Sequence, residues 1–336
     1  MKRPVRSAVP RILLGATLLG APWLPFPSAA AEPAEAPPEA PATPETPGGS
    51  WSEPFYGAVS GQVDALSRRI DAFFGGERAY EESTRSTLRL GAGVEWRENR
   101  EFRFVSKVRL KLDLPYSRER FNFLLESDLD EDLEEDGQLQ VAEALQPQTQ
   151  ASNYNAAVRL APKVPPGWKL TADAGVKLNW PPDPFARVRV RRTFALGDWI
   201  LRGTQRVFWF TSRGLGETTT VELERAIWTE GLLRLTSEAR WEEEEEGLSL
   251  LQAASLFQSL GPDYALVYTA AVRGVTSPSI RTSQYEASIG FRGRLIRPWL
   301  FYEIQPTSVW PRTDNFRPAG SIFFRLEALF GADYRC

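Results

Sequence analysis

The feature that most constrains this chain is a strict alternation of apolar and ionic or small residues over long segments. Between residues 88 and 96, leucine, alanine, valine and tryptophan occupy every second position, and arginine, glycine and glutamate lie between them. A period of two places alternate side chains on opposite faces of a β-strand. Each such segment therefore predicts a strand with one apolar face and one polar face.

The predicted strands are long and recur along the chain. Most span about twelve residues, whereas strands in globular proteins usually have about five or six, and about ten tilted residues cross a bilayer. We assign fourteen strands, near 84–97, 100–114, 117–130, 151–161, 167–180, 184–196, 198–212, 216–229, 231–243, 247–259, 263–274, 281–296, 297–307 and 319–330. Twelve strands is the alternative, because the divisions within 216–243 and 281–307 are the weakest.

Tryptophan spacing gives a separate test of this interpretation. Trp168 and Trp180 lie twelve residues apart on one face, and Trp199 and Trp209 lie ten apart. At about 3.3 Å per residue and a tilt near 40°, these spans project to roughly 30 and 25 Å. A transmembrane barrel has an apolar band about 25 Å tall between two aromatic girdles. The competing explanation is chance spacing in a chain with 11 tryptophans.

Loop lengths assign the two sides. If both ends of the barrel face the periplasm, the turns after even-numbered strands are periplasmic, and most of them are short. The remaining loops then face outward and include the two long ones, around 130–150 and 307–318. Short inner turns and long outer loops are typical of bacterial outer-membrane barrels.

With this architecture, residues 84–330 resemble the outer-membrane β-barrels of Gram-negative bacteria, in a porin-like form without a specific subfamily. The last strand, with Ile322, Phe324, Leu326, Ala328 and Phe330 on one face, looks like the terminal insertion signal of that class, although residues 331–336 follow it. The resemblance implies an outer-membrane location, contact with lipid and lipopolysaccharide, and insertion by the barrel assembly machinery. The predicted fold class is all-β: a transmembrane antiparallel barrel of about fourteen strands, preceded by a short amphipathic helix.

The segments before the barrel have their own character. Residues 1–31 predict a secretory signal peptide, with four basic residues, an apolar stretch and a small-residue cleavage site. Its removal changes the net charge from −3 to −7, because it holds no acidic residue, and a negative chain does not favour nucleic acid as a partner. Residues 32–50 are rich in proline, alanine and glutamate and predict a disordered linker.

Residues 51–76 predict the amphipathic helix. Its apolar stripe has three- and four-residue spacing and consists of Phe55, Val59, Val63, Leu66, Ile70 and Phe73. Two roles stay open: a helix that simply packs on the fold, and a plug or periplasmic lid of the barrel.

The inner face of the predicted barrel is basic. The candidate lumen-lining residues are Arg103, Lys107, Arg109, Lys111, Arg187, Arg189, Arg191, Arg202, Arg206, Arg292 and Arg294. An arginine-lined, wet lumen lowers the energy of a passing anion. Acidic residues on the same face, including Glu95, Asp173, Glu303 and Glu327, would instead pair with these cations if the lumen were filled. An anion-preferring pore and a closed, salt-bridged interior both stay open.

Two acidic runs fall at predicted outer loops. The first contains Asp130, Glu131, Asp132, Glu134, Glu135 and Asp136, and the second contains Glu242, Glu243, Glu244, Glu245 and Glu246. One interpretation is that they hold divalent cations that bridge lipopolysaccharide phosphates. The other is a solvated loop that repels its neighbours, and no dedicated metal site is predicted.

Missing residue types limit the chemistry of this protein. The chain has no histidine, and its single cysteine is Cys336. A Ser-His-Asp triad, a histidine-bound zinc and an intrachain disulfide framework are therefore excluded. We predict no enzyme, no cofactor and no metal. The leading functional prediction is a pore for small solutes with a preference for anions. The alternative is a non-conducting structural or interaction barrel that presents the helix and linker to a periplasmic partner.

Overall fold

The computed structural model describes the barrel and part of the helix that precedes it. The described residues are Val63, 65–74, 86–98, 102–113, 121–127 and 154–331. The predicted signal peptide, the predicted linker and the acidic run at 130–136 lie outside the described residues.

The described residues form one α-helix, fourteen strands and a short 3-10 helix, Arg312–Asp314. The helix, α1, covers residues 65–74, and Val63 is also helical. The strands are β1 (Thr87–Arg97), β2 (Phe102–Asp113), β3 (Phe121–Ser127), β4 (Tyr154–Leu160), β5 (Trp168–Lys177), β6 (Asp183–Leu196), β7 (Trp199–Phe210), β8 (Gly214–Trp228), β9 (Gly231–Glu242), β10 (Ser249–Ser259), β11 (Tyr264–Val275), β12 (Arg281–Arg294), β13 (Leu300–Pro311) and β14 (Ala319–Phe330). Among the residues described, no helix combines the length and the apolar character that a membrane span requires.

The strands close into one antiparallel barrel. Each strand pairs with its neighbours in sequence, and β1 pairs with β14 from Leu88↔Phe330 to Arg97↔Ser321. The prediction of a fourteen-stranded antiparallel barrel after a short helix is confirmed, and the twelve-strand alternative is excluded. Most predicted strand limits agree within about three residues. The largest shifts, of four residues, are at the start of β3 and the end of β13.

The two ends of the barrel differ in their connections. The turns after even-numbered strands include residues 197–198 and 229–230, and we call this the turn end. The opposite end, which we call the loop end, carries the connections after odd-numbered strands, including 243–248 and 312–318. The assignment of the turn end to the periplasm remains a prediction.

Exposure alternates along the strands as the sequence predicts. On β6 the side chains of Arg187, Arg189 and Arg191 are buried, whereas the neighbouring Ala186 and Val188 are exposed. Large apolar side chains, including Phe104, Trp209 and Ile322, are exposed around the outside of the barrel. A continuous apolar outer surface is what a membrane barrel presents to lipid.

Two arginines on the outer face lie near the turn end, where the bilayer meets water. Arg192 is paired in register with Trp168, and its guanidinium lies 4.6 Å from the centre of that ring. Arg225 is paired with Trp199 and lies 3.4 Å from Asp198 in the adjacent turn. A charge at the bilayer midplane costs about 2–4 kcal/mol, and near the interface about 0–1. Their positions at the strand ends therefore fit a membrane barrel.

Candidate functional site in the barrel interior

The structure places all of the predicted basic residues on the inner face of their strands. Arg103 and Arg294 are half-buried, and the other nine are buried. Burial inside a closed barrel means that these cations face one another and the acidic side chains of other strands. The interior of the barrel is therefore the candidate functional site, and its chemistry depends on how these charges are paired.

One ionic cluster joins the first and last strands. Glu327 on β14 accepts hydrogen bonds from Arg89 on β1 and Arg292 on β12. Arg292 also donates to Glu303 on β13 at 3.0 Å, and Arg325 donates to the same carboxylate at 2.7 Å. This cluster holds three arginines and two glutamates. It bridges the closure between β1 and β14 and leaves one net positive charge.

A second cluster is centred on Asp173 of β5. Arg159 on β4 donates to its two carboxylate oxygens at 2.7 and 2.9 Å, and Arg187 on β6 donates to it at 2.6 and 2.9 Å. The three residues are in register on adjacent strands. Two cations share one anion, so this wall of the barrel also keeps a net positive charge.

The third cluster fixes the helix to the barrel. Arg234 on β9 donates to Asp71 of α1 at 2.8 Å and lies 2.6 Å from Glu224 on β8. Arg202 on β7 donates to the same glutamate, and Ser67 of α1 donates to it at 2.9 Å. Sequence reasoning missed Glu224, Asp71 and Ser67, although the alternation within β8 places Glu224 on the inner face.

Apolar contacts complete the docking of α1. Val63 and Ile70 are buried against Ile200, Leu232 and Phe257, which are inner-facing residues near the turn end of β7, β9 and β10. The adjacent phenylalanines at the end of the helix make edge-to-face contacts at 5.5 Å with aromatic rings of β13 and β10. The helix thus occupies the interior near the turn end.

A separate apolar cluster fills the interior near the loop end. Its members are Leu124, Ala157, Phe185, Phe208 and Phe210. Phe185 and Phe210 are paired across β6 and β7, and their rings stack at 5.5 Å. The sequence marks these residues as inner-facing only once the register of the strands is known.

Between these clusters lies a row of in-register residues that we call the arginine row. It consists of Thr171, Arg189, Arg206, Thr218 and Arg240 on strands β5 to β9. All five strands are fully described, and this row carries three positive charges and no negative charge across them. Arg189 and Arg206 face each other directly, and both are buried. Carboxylates of the adjacent rows offset part of this charge. Glu242 pairs with Arg240, and Glu238, which accepts a hydrogen bond from Thr220 at 3.0 Å, interacts electrostatically with Arg206 and Arg240.

The second acidic run is only partly in a loop. Residues 243–246 are exposed in the connection after β9, and Glu243 accepts a hydrogen bond from the backbone of Leu215 at 3.0 Å. Glu242 differs from the prediction: it is the last residue of β9, it is buried, and it pairs with Arg240. Alternation of apolar and polar residues is lost in a consecutive run of glutamates, so the sequence does not show where the strand ends. In the described part of the chain, no cluster of three acidic, histidine or cysteine residues could hold a metal ion.

Comparisons with known proteins add only general similarity. No protein-family model matches the sequence, and no curated protein matches it. A loop-deletion mutant of OmpT, an outer membrane protein of Vibrio cholerae, is 11% identical, with a TM-score of 0.47 over 73% of this chain and 98% of that one. The KdgM porin is 6% identical, with a TM-score of 0.36 over 72% and 99%. The outer membrane channel DcaP of Acinetobacter baumannii is 8% identical, with a TM-score of 0.43 over 73% and 96%.

Similarities at this level assign no solute to the chain. The architecture instead follows from the closed pairing of its own strands and from the apolar side chains around the outside. Closed barrels with this outer surface belong to outer membranes. The chain is a membrane β-barrel of fourteen antiparallel strands, of the kind that outer membranes contain.

Proposed function

We propose that this protein is an outer-membrane channel whose interior favours small anionic solutes, and that α1 closes it at the turn end in this conformation. The observation that carries the proposal is the arginine row. Three arginines in register across β6 to β9 make a positive band around part of the interior. Such a band lowers the energy of an anion that enters and raises that of a cation.

The arrangement of Arg189 and Arg206 supports this reading in physical terms. Both side chains are buried, and they occupy directly opposite positions on β6 and β7. A guanidinium group donates parallel hydrogen bonds that suit carboxylate and phosphate groups. An anionic solute that enters the interior therefore meets two such donors on one wall.

The experiment is a measurement of ion selectivity in planar bilayers. The reversal potential in a salt gradient is compared between the channel with α1 released, by Val63→Ala with Ile70→Ala, and the same protein with Arg189→Gln and Arg206→Gln. We expect anion selectivity in the first and a shift toward cations in the second. Arg225→Gln is the matched control, because this arginine lies on the outer face and its loss leaves the interior unchanged. Equal reversal potentials in all three proteins would refute the proposed selectivity.

A second function is favoured by the filling of the interior. Ionic clusters, the apolar cluster near the loop end and α1 bury most inner-facing side chains. A non-conducting barrel that presents residues 51–76 to a periplasmic partner fits this packing as well. It predicts no conductance after α1 is released, together with a partner that co-purifies only when residues 51–76 are present.

A further inference from the structure

The outer wall of the barrel has a depression near the loop end, across β12, β13 and β14 and beside β1. Its volume is about 550 Å³, within the range of about 300–1,000 Å³ that is usual for ligand sites. Its floor is a row of small side chains in register: Ala287, Ser308 and Gly320. Larger apolar side chains surround it, chiefly Trp96, Trp310, Ile289 and Ile322.

The backbone explains why the wall is indented here. The pairing of β12 with β13 is interrupted between Ser288↔Thr307 and Phe291↔Ile304. Pro306 lies in the gap, and proline has no N–H to donate to the neighbouring strand. Pro306 also lines the depression. The interrupted pairing at Pro306 and the small side chains of the floor therefore both contribute to the hollow.

Aromatic residues place the depression at a definite depth. Trp310 is paired with Tyr285 one row closer to the loop end, and the ring of Tyr285 lies 5.4 Å from that of Phe316 in the loop after β13. Asn315 and Phe316 both have positive φ, 54° and 57°, a conformation that costs non-glycine residues about 1–3 kcal/mol. Aromatic side chains at this level mark the edge of the bilayer. The depression therefore faces hydrocarbon just below the headgroups.

Basic residues lie at the loop end of the strands that line it. Arg281 begins β12, Arg312 follows β13, and Arg317 precedes β14, and all three are exposed. Two carboxylates share this rim. Asp314 is in the same loop, and Glu98 accepts a hydrogen bond from the backbone of Gly320 at 3.2 Å. Three arginines and two carboxylates leave an excess of one positive charge at this rim, and the arginines lie at the loop ends of β12, β13 and β14.

We propose that this depression binds an acyl chain of a phosphate-bearing, acylated lipid of the leaflet at the loop end, with its phosphate on Arg312 and Arg317. Hydrocarbon tails are as apolar as the wall of the barrel, so the acyl chain gains van der Waals contacts with the depression but little hydrophobic energy. Discrimination among lipids must then come from the headgroup, and arginine pairs well with phosphate because its planar group donates two parallel hydrogen bonds. The carboxylate of Glu98, just after β1, repels the phosphate, which therefore lies nearer β13.

The test uses the full chain in detergent micelles and native mass spectrometry. The probes are bisphosphorylated lipid A, the same lipid after removal of its phosphates, and phosphatidylcholine. We expect one molecule of bisphosphorylated lipid A to be retained at least tenfold more tightly than either of the others. Arg312→Gln with Arg317→Gln should reduce this preference to within about threefold, because the remaining contacts do not bind the phosphate.

Filling the depression tests the site itself. A Cβ on Gly320 meets only the Glu98 carboxylate, at 3.9 Å, so Gly320→Leu with Ala287→Leu adds volume without backbone strain. We expect retention of lipid A to fall at least tenfold. Ala254→Leu on the outer face of β10 adds the same group elsewhere and should change nothing. Heat-modifiable migration on gels reports whether each variant is folded.

Three results would overturn the proposal. The three lipids could be retained equally, the variant with Gly320→Leu and Ala287→Leu could retain lipid A as tightly as the unaltered protein, or more than one molecule of lipid A could bind with the same preference over the other two lipids. Loss of a dimer in the filled variant, with no change in lipid binding, would instead show that the depression is a contact between two copies of the chain.

Discussion

Release of α1 is the perturbation that best separates a closed channel from a permanently filled barrel. Val63 and Ile70 are 2% and 4% exposed against inner-facing residues of three strands. Replacing a buried isoleucine with alanine costs about 2–5 kcal/mol, and removing two carbons from a buried valine costs about 1.6 kcal/mol at about 0.8 per methylene. Both side chains contact one cluster and their effects are not fully additive, so that we take about 3 kcal/mol as the lower limit for the double substitution.

A loss of about 3 kcal/mol raises the undocked fraction of α1 more than a hundredfold, since each 1.4 kcal/mol is tenfold. Cysteine labelling measures this fraction. Ser67 is 0% exposed, so Ser67→Cys, in a chain with Cys336→Ser, reacts with a maleimide only when the helix leaves its site. The labelling rate should rise more than a hundredfold with Val63→Ala and Ile70→Ala. Ala65→Cys is the control, because Ala65 is exposed and its rate should stay the same.

Conductance is then recorded on the same proteins. If α1 closes the channel, the open fraction should rise together with the labelling rate. An unchanged labelling rate would refute the inference that apolar burial holds the helix in place. A faster rate without any conductance would leave the docking argument intact and reject the channel.

The remaining predictions concern the stability of the barrel, measured as the temperature at which its migration on gels changes. Glu327→Gln leaves two buried arginines without their shared carboxylate and should destabilise the barrel by about 3–5 kcal/mol. Asp198→Asn removes one member of a pair whose side chains are 45% and 51% exposed and should change stability by less than about 1 kcal/mol. Gly175→Ala should lower this transition temperature, because its Cβ would lie 2.3 Å from a carbonyl oxygen of β4. Gly203→Ala should leave the temperature unchanged, because a Cβ at that position meets nothing within 4 Å.

Alternation predicted the strands well because two different solvents enforce it. Hydrocarbon outside excludes charge, and the interior needs polar groups, so that an error of one residue in a strand reverses both faces. The same pattern explains why Arg192 and Arg225 stand out on the outer face, and why both occur beside turns.

The pairing of charges could not be predicted from the sequence. Arg89 and Glu327 are 238 residues apart and meet only because β1 closes on β14, in a register that no local pattern specifies. The docking of Asp71 on Arg234 is of the same kind. The depression on the outer wall also depends on register, since the small residues on its floor come from three strands.

The charges around α1 suggest that its site is built to remain stable when the helix is absent. The strand residues of this cluster are two arginines, Arg202 and Arg234, and two glutamates, Glu222 and Glu224, which balance without any contribution from α1. Asp71 adds a fifth charge to a set that is already neutral. Losing one partner of a buried pair costs about 3–5 kcal/mol when the other charge is left alone, but withdrawal of α1 leaves no charge on the strands unbalanced. Withdrawal of the helix therefore requires no rearrangement of the ion pairs on the strands. Its main cost is the exposure of the apolar side chains of α1 to water, whereas the polar contacts of Ser67 and Asp71 can be replaced by water.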